Sequence, residues 1–328
     1  MQKLSFLVSR LGKALFVILG VVIINFMLIR MAPGDPAAVL AGESGSSDPA
    51  YVEQLRQQFG LDKPVYVQLA TYLKGVARFD LGYSYRERLP VFDLIMDRLP
   101  ATLLLMVCAF AFALLFGVLF GIIASRCRYQ GKHPWVDSAL MTASLLIYAT
   151  PQFWLALLAI IFFSLQLGWL PPFGMETVGS GLAGWARIKD IATHLILPTV
   201  SLGCFFMAVY ARLTRASMLE VLGMDFIKTA RAKGVPVNQI IRHHALRNAL
   251  LPVVTFAGIQ LGQMAGGAVL TETVFGWPGI GRLMFDALLQ RDYQLLLGVF
   301  LITSTMVVVF NLLTDLIYRF VDPRTQES

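Results

Sequence analysis

Apolar residues gather into six runs along the chain, at 14–29, 101–125, 139–165, 195–211, 250–271 and 295–318. A helix rising 1.5 Å per residue needs about 20 apolar residues to cross about 30 Å of hydrocarbon. The first and fourth runs are short and draw on flanking residues. The third is long and contains Pro151, which removes a backbone donor and predicts a kinked or tilted helix. The pattern predicts an all-α membrane protein with six transmembrane helices.

Two segments between the runs have a pattern of their own. In 33–100, Ser47-Asp48-Pro49 reads as a helix start, followed by Val52, Leu55 and Phe59 at helical spacing before Gly60. A second helix follows Pro64, with Val65, Leu69, Tyr72, Leu73 and Val76 on one face. This helical segment is either a docking or lid structure or a plain cap over the span ends. In 212–249, Asp225 to Lys233 reads as a short helix that Gly234 stops where a positive φ is needed, and Pro236 bars its resumption. A further helix carries Ile240, Ile241 and Arg242 to Asn248 directly into the fifth run. Such a helix–Gly–helix, tethered to spans at both ends, is either a rigid knob that passes a push from a partner to the spans or an ordinary basic loop.

Composition agrees with the membrane reading. Hydrophobic residues make up 57% of the 328 and charged residues 14%, against about 45–50% and about 25% in an ordinary globular chain. Disorder, coiled coil and a disulfide-stapled secreted fold are excluded. Cys108, Cys127 and Cys204 form no CxxC pair and no Cys/His spacing that would bind zinc.

Residues 1–32 have Lys3, Arg10 and Lys13 ahead of an apolar stretch, as a signal peptide does, but end in Leu28-Ile29-Arg30-Met31-Ala32 without the small-x-small cleavage pattern. An uncleaved first helix is expected. With the N-terminus inside, segments 1–13, 126–135, 212–249 and 319–328 carry 15 of the 27 Lys and Arg, and the short outside loops 168–193 and 276–295 carry 4. The positive-inside rule then puts both termini in the cytoplasm and makes 33–100 periplasmic. The net charge of +7 is spread over membrane-flanking loops, so it does not mark a nucleic-acid partner. The expected divisions are 1–32 (tail and first helix), 33–100 (periplasmic helices), 101–320 (five-helix core containing 212–249) and 321–328 (cytoplasmic tail).

The stretch from Thr229 to Gly234, followed by His244 to Pro252, resembles the cytoplasmic EAA loop of ABC importer permeases, in the version of the peptide/nickel (dipeptide, oligopeptide, glutathione and nickel) importers. Further matches run in order along nearly the whole chain. They are Pro33-Gly34-Asp35-Pro36, Phe59 to Pro64, Asp80-Leu81-Gly82, Arg98 to Thr102, Gly168 to Pro171, Glu272 to Arg282, and Asp322-Pro323-Arg324. Lys228 stands where many ABC permeases have Glu, and the Gly-to-Leu-Pro spacing is longer, both habits of this subfamily. No salt bridge assigned to that Glu carries over.

The resemblance implies a permease subunit in the bacterial inner membrane, half of a heterodimeric pathway. Its partners would be a second homologous permease, two cytoplasmic ABC ATPase subunits, a periplasmic binding protein and membrane lipid. It implies ATPase coupling through Asp225, Lys228, Thr229, Ala230, Arg231, Gly234, His244, Arg247 and Asn248. The chain itself is expected to be no enzyme and to bind no cofactor, since it has no GxxxxGK[ST] cradle. ATP and Mg belong to the partners.

Glu272, costly to bury at a span end, is either a pathway residue or an interfacial one reaching water. Gly262, Gly266 and Gly267 permit close helix contact at a pathway or dimer seam. Trp277-Pro278-Gly279 predicts a rigid external turn at the outer gate or against the binding protein. Asn311 and Asp315, spaced i, i+4, and Asn25 read as interhelical glue. His243 and His244 are adjacent and point apart on a helix, His133 and His194 are isolated, and no metal site is expected. A di- or oligopeptide, or a peptide-like solute, is the expected cargo, with a nickel or metal-chelate importer as the alternative. A self-sufficient secondary transporter would need charged pairs or inverted repeats in its spans. A membrane-embedded hydrolase would need GxSxG, HExxH or paired His/Asp, all missing from the sequence.

Overall fold

The computed structural model describes the backbone of residues 2–31, 36–43, 48–58, 60–84 and 86–321. Pro33-Gly34-Asp35, Ser47, Phe59 and Asp322-Pro323-Arg324 lie outside the described residues, as do the side chains of Lys3, Arg10, Asp315 and the surroundings of Gly267. Most of the described residues are helical. Among the described residues, strand is confined to a two-stranded antiparallel ribbon, β1 (Tyr83–Ser84) with β2 (Leu89–Pro90). The class is all-α.

Among the described residues, four helices are long and apolar enough to cross a bilayer: α5 (Val91–Gln130), α8 (Gly184–Leu222), and the stretches Val237–Met264 and Tyr293–Thr314. A bent pair adds a fifth if it is one span, and Gly12–Leu28 is a shorter apolar helix within α1 (Gln2–Met31). The second apolar run begins earlier than its hydropathy indicates. Its helix starts at Val91, with Asp93 in the first turn, where a carboxylate suits the positive helix end.

The third run is two helices with a sharp bend at the predicted proline rather than one continuous helix. Between α6 (Pro134–Ala149) and α7 (Gln152–Ala159), the latter continued by a π-helical turn Ile160–Gln166, the chain bends by 104°. Proline disfavours helical ψ in the residue before it, and Thr150 is extended at φ −84°, ψ 133°. The chain therefore leaves one helix and starts another, with Pro151 as the N-cap of α7.

The chain divides into two compact units, residues 1–100 with 279–308 and residues 101–278 with 309–328. In the first, α2 (Pro36–Glu43) and α3 (Pro49–Gln58) enclose a small core of Ala37, Ala41 and Leu55, backed by Val52. Asp48 Oδ1 accepts the Ala50 amide at 2.9 Å and starts α3 as its side chain suggested. The apolar face of α4 (Val65–Val76) supplies Tyr72, Leu73 and Val76 to a larger core with α12 (Ile280–Leu289) and the start of α13 (Tyr293–Val321). Tyr72 stacks on Phe26 at 5.9 Å between centroids.

In the second unit α5 and α8 touch backbone to side chain at glycine. An added Cβ at Gly117 would lie 2.6 Å from Tyr210 Cβ and 2.9 Å from Met207 O, and at Gly121 2.5 Å from Thr214 Cβ and 2.8 Å from Ala211 O. Gly203 is closed on from the other side, with Ala109 O at 3.0 Å. This small-xxx-small contact lets two apolar helices approach closely where hydrophobicity alone gives no preference between helix and lipid.

Candidate functional site

The short helix predicted at Asp225 is present as α9 (Asp225–Ala232). Its end is a hydrogen-bonded cap: Val235 N donates to Ala230 O at 3.2 Å and Gly234 N to Arg231 O at 3.0 Å, with Gly234 at φ +80°. That paired bonding is the Schellman arrangement, and it needs the left-handed residue that glycine supplies without strain. Nothing lies within 4 Å of a Cβ built on Gly234, so the requirement is conformational rather than steric.

Pro236 caps the next helix, and the chain resumes through α10 (Val237–Gln239), a π-helical turn Ile240–Ala245 and α11 (Leu246–Val274) without a break. Beneath α9, Ile227, Ile240, Ile241, Ala245 and Ala249 pack with Met218, Val221 and Leu222 at the end of α8. Ala230 and Val235 at the cap join the same cluster. The knob is thus an apolar base with a charged face.

On that face Asp225, Lys228, Thr229, Arg231 and Lys233 are exposed. Lys228 Nζ donates to Asp225 Oδ1 at 2.8 Å, and Thr229 Oγ1 to Asp225 O at 3.0 Å. An exposed pair of this kind adds little to stability, so both charges can turn to a partner at small cost. Arg231 stands over the Tyr129 ring, 5.8 Å from its centroid. In the second helix Asn248 Nδ2 donates to His244 O at 2.9 Å, His244 is half-buried, and Arg247 and Asn248 are exposed. The two groups of predicted residues are joined through the apolar base.

Sequence reasoning missed Met224 and Phe226, both 42% exposed beside the charged face. The signal was available: an aromatic set between Asp225 and Ile227, with only Ile227 claimed by the base.

At the other end of α11, Glu272 is fully buried and accepts a hydrogen bond from Thr102 Oγ1 at 2.7 Å. It does not reach water as an interfacial residue would. One residue earlier Thr271 Oγ1 accepts Gln152 Nε2 at 3.1 Å. The helix closes with the same cap as the knob, Trp277 N to Glu272 O at 2.8 Å and Gly276 N to Thr273 O at 3.3 Å, with Gly276 at φ +60°.

The Trp277 ring is also fully buried, and its Nε1 donates to Ala101 O at 2.9 Å. The ring is therefore turned inward and is not part of the exposed surface of the turn. The ring anchors the turn to α5 from beneath, because an indole is stable in an apolar interior once its N–H has an acceptor. Gly266 stands about 9 Å along α11 from Glu272, exposed and with nothing within 4 Å of a built Cβ. It belongs to a different face from the Glu272–Trp277 cluster.

The pair of buried Asp137 and half-buried Arg215 was also missed. Arg215 Nε and Nη2 donate to the two carboxylate oxygens of Asp137 at 2.5 and 2.7 Å, tying the first turn of α6 to the end of α8. His194 is buried, with Nδ1 2.9 Å from Asp190 O, a satisfied structural histidine. Among the described residues no group of three His, Cys, Asp or Glu could hold a metal ion.

Comparison with known proteins follows the same geography. Residues 117–327 match the family described as binding-protein-dependent transport system inner membrane component, and residues 3–106 match the N-terminal family of such membrane components. The chain is 40% identical over 339 residues to the dipeptide transport system permease protein DppB of Alkalihalophilus pseudofirmus, covering 98% of this chain and 99% of that one. It is 40% identical over 342 residues to the protein of the same name in Escherichia coli K12, covering 99% of both. Among solved structures, a chain of the inward-facing MetNI methionine ABC transporter matches with TM-score 0.55 at 19% identity, over 70% of this chain and 96% of that one. At that identity the likeness concerns the fold.

Proposed function

Since this chain belongs to the family of binding-protein-dependent transport system inner membrane components, we propose that it forms one half of the membrane pathway of an ATP-driven importer of di- and oligopeptides. As a member of that family it is an ABC importer permease of the inner membrane and not an enzyme. ATP is hydrolysed in partner ATPase subunits. The peptide cargo rests on the relatives, two of them dipeptide permeases matched end to end.

The finer arrangement has six spans with both termini in the cytoplasm, residues 33–100 outside, and a second, homologous permease alongside. A loaded binding protein delivers solute to the end of α11 that holds Glu272 and Trp277. The observation that carries the coupling role is the knob, an eight-residue charged helix closed by Gly234 over an apolar base that includes the end of α8. A short helix fixed in this way moves as a body. Seated on an ATPase subunit, it passes the closure of the ATPase pair to the spans, and the free energy separating inward- and outward-facing states comes from ATP and the loaded binding protein.

The test is ATPase activity of the co-expressed four-subunit complex in lipid, with and without peptide-loaded binding protein, for wild type and Gly234→Val. A β-branched residue at φ +80° is strained by about 1–2 kcal/mol or more, and the open space around it leaves the rest of the chain undisturbed. The variant is expected to assemble and to lose stimulation by the binding protein. Wild-type stimulation in the variant, or transport by the isolated chain without ATP, would refute the coupling role.

A further inference from the structure

We propose that Asp137 and Arg215 are a positioning pair, a strut that carries movement of the knob into the broken helix α6–α7 and so couples ATP hydrolysis to transport. The proposal rests on the permease reading above. Arg215, Met218 and Leu222 are spaced i, i+3 and i+7, so they lie along one stripe of α8. The lower part of that stripe packs into the base of the knob with Ile227, Ile240 and Ile241. Its upper part grips α6. Whatever displaces α9 displaces the end of α8, and the first side chain along that stripe to meet another helix through polar groups is Arg215.

The geometry suits transmission more than stability. A bidentate guanidinium–carboxylate pair fixes an angle as well as a distance, whereas apolar side chains let one helix slide on another. The Asp137 side chain is 7% exposed and that of Arg215 27%. A pair buried to that extent gains little net free energy over apolar residues of the same volume, so folding alone does not call for it.

A second fastening lies at the far end of α6. The Arg212 guanidinium stands over the Tyr148 ring at 4.7 Å, and Tyr148 stacks on Phe205 at 5.1 Å. Pairing 137 with 215 and 148 with 205 is the register of two antiparallel helices held at both ends. Two residues beyond Tyr148 the chain breaks at Thr150-Pro151 and turns by 104°. There α7 and its π-helical continuation pack Ala156 and Ile160 against Leu197 and Phe275, beside the buried Thr102–Glu272 and Trp277–Ala101 bonds. The path from knob to the end of α11 is α9, α8, Arg215–Asp137, α6 and the elbow at Pro151.

The experiment uses the four-subunit complex in proteoliposomes with loaded binding protein, measuring peptide accumulated per ATP hydrolysed for wild type, Asp137→Asn and the exchange Asp137→Arg with Arg215→Asp. Asp137→Asn is expected to assemble and hydrolyse ATP while peptide per ATP falls about tenfold, within the range that coupling between sites delivers. The exchange is expected to recover at least part of the ratio, which a role confined to folding would not give. A wild-type ratio in Asp137→Asn overturns the proposal. So does loss of assembly in both variants, which would make the pair a folding element. If wild type itself shows no solute-dependent ATP hydrolysis, the permease reading fails instead, so the two failures are distinguishable.

Discussion

Glycines that look alike in the sequence do different things, and the difference lies in what faces each missing Cβ. A Cβ added at Gly117 or Gly121 would meet backbone carbonyls of α8 at 2.9 and 2.8 Å, and neither carbonyl can move without moving a helix. Gly117→Ala or Gly121→Ala is expected to destabilise the chain by about 1–3 kcal/mol through overpacking, read as a lower thermal midpoint in detergent. Gly266 meets nothing within 4 Å, so Gly266→Ala is expected to leave the midpoint of the isolated chain unchanged or raise it, since alanine is favoured over glycine in a helix by about 1 kcal/mol. If Gly266 lies at the seam with the second permease, the same variant lowers the yield of the assembled pair. An unchanged yield would assign Gly266 to lipid.

Among the elements, the broken helix is the one that hydropathy misrepresents most. A run of apolar residues reports burial in lipid or protein and is blind to direction, so 139–165 reads as one long span although the chain turns inside it. Proline was the visible signal, and its effect on Thr150 is larger than a kink because the turn is backed by packing of α7 on α8. The Gly234 cap was legible because glycine announces a left-handed residue, and the same signal stood unread at Gly276. Phe79 at φ +60° and Arg291 at φ +55° occupy the same position in equivalent caps, and no sequence rule points to either. The elbow can be tested with spin labels at Ser138 and Leu165, both exposed. Two helical arms bent by 104° from a straight line put those backbones about 25 Å apart, and a straight helix about 40 Å. Pro151→Ala is expected to lengthen the distance toward the larger value. No change would assign the bend to packing alone.

At the scale of the whole molecule, composition and periodicity gave the class, and in-order motifs gave the family. The contacts that organise the site, Asp137 with Arg215 and Thr102 with Glu272, join residues 78 and 170 positions apart, and no local pattern pairs them. Orientation rests on the unequal spread of Lys and Arg, a statistical bias of insertion rather than a contact, and it decides whether the knob can meet an ATPase at all. A chain with Cys108, Cys127 and Cys204 replaced by serine, carrying either Val178→Cys or Lys233→Cys, tests it directly. Val178 is 98% exposed in the loop before α8, and Lys233 is exposed on the knob, so neither position needs an opening motion to react. In intact spheroplasts a membrane-impermeant maleimide is expected to label Cys at 178 at once and at 233 only after permeabilisation. The reverse pattern would place the knob outside the cell, where no ATP-driven subunit could grip it, and the coupling role would fall with the topology.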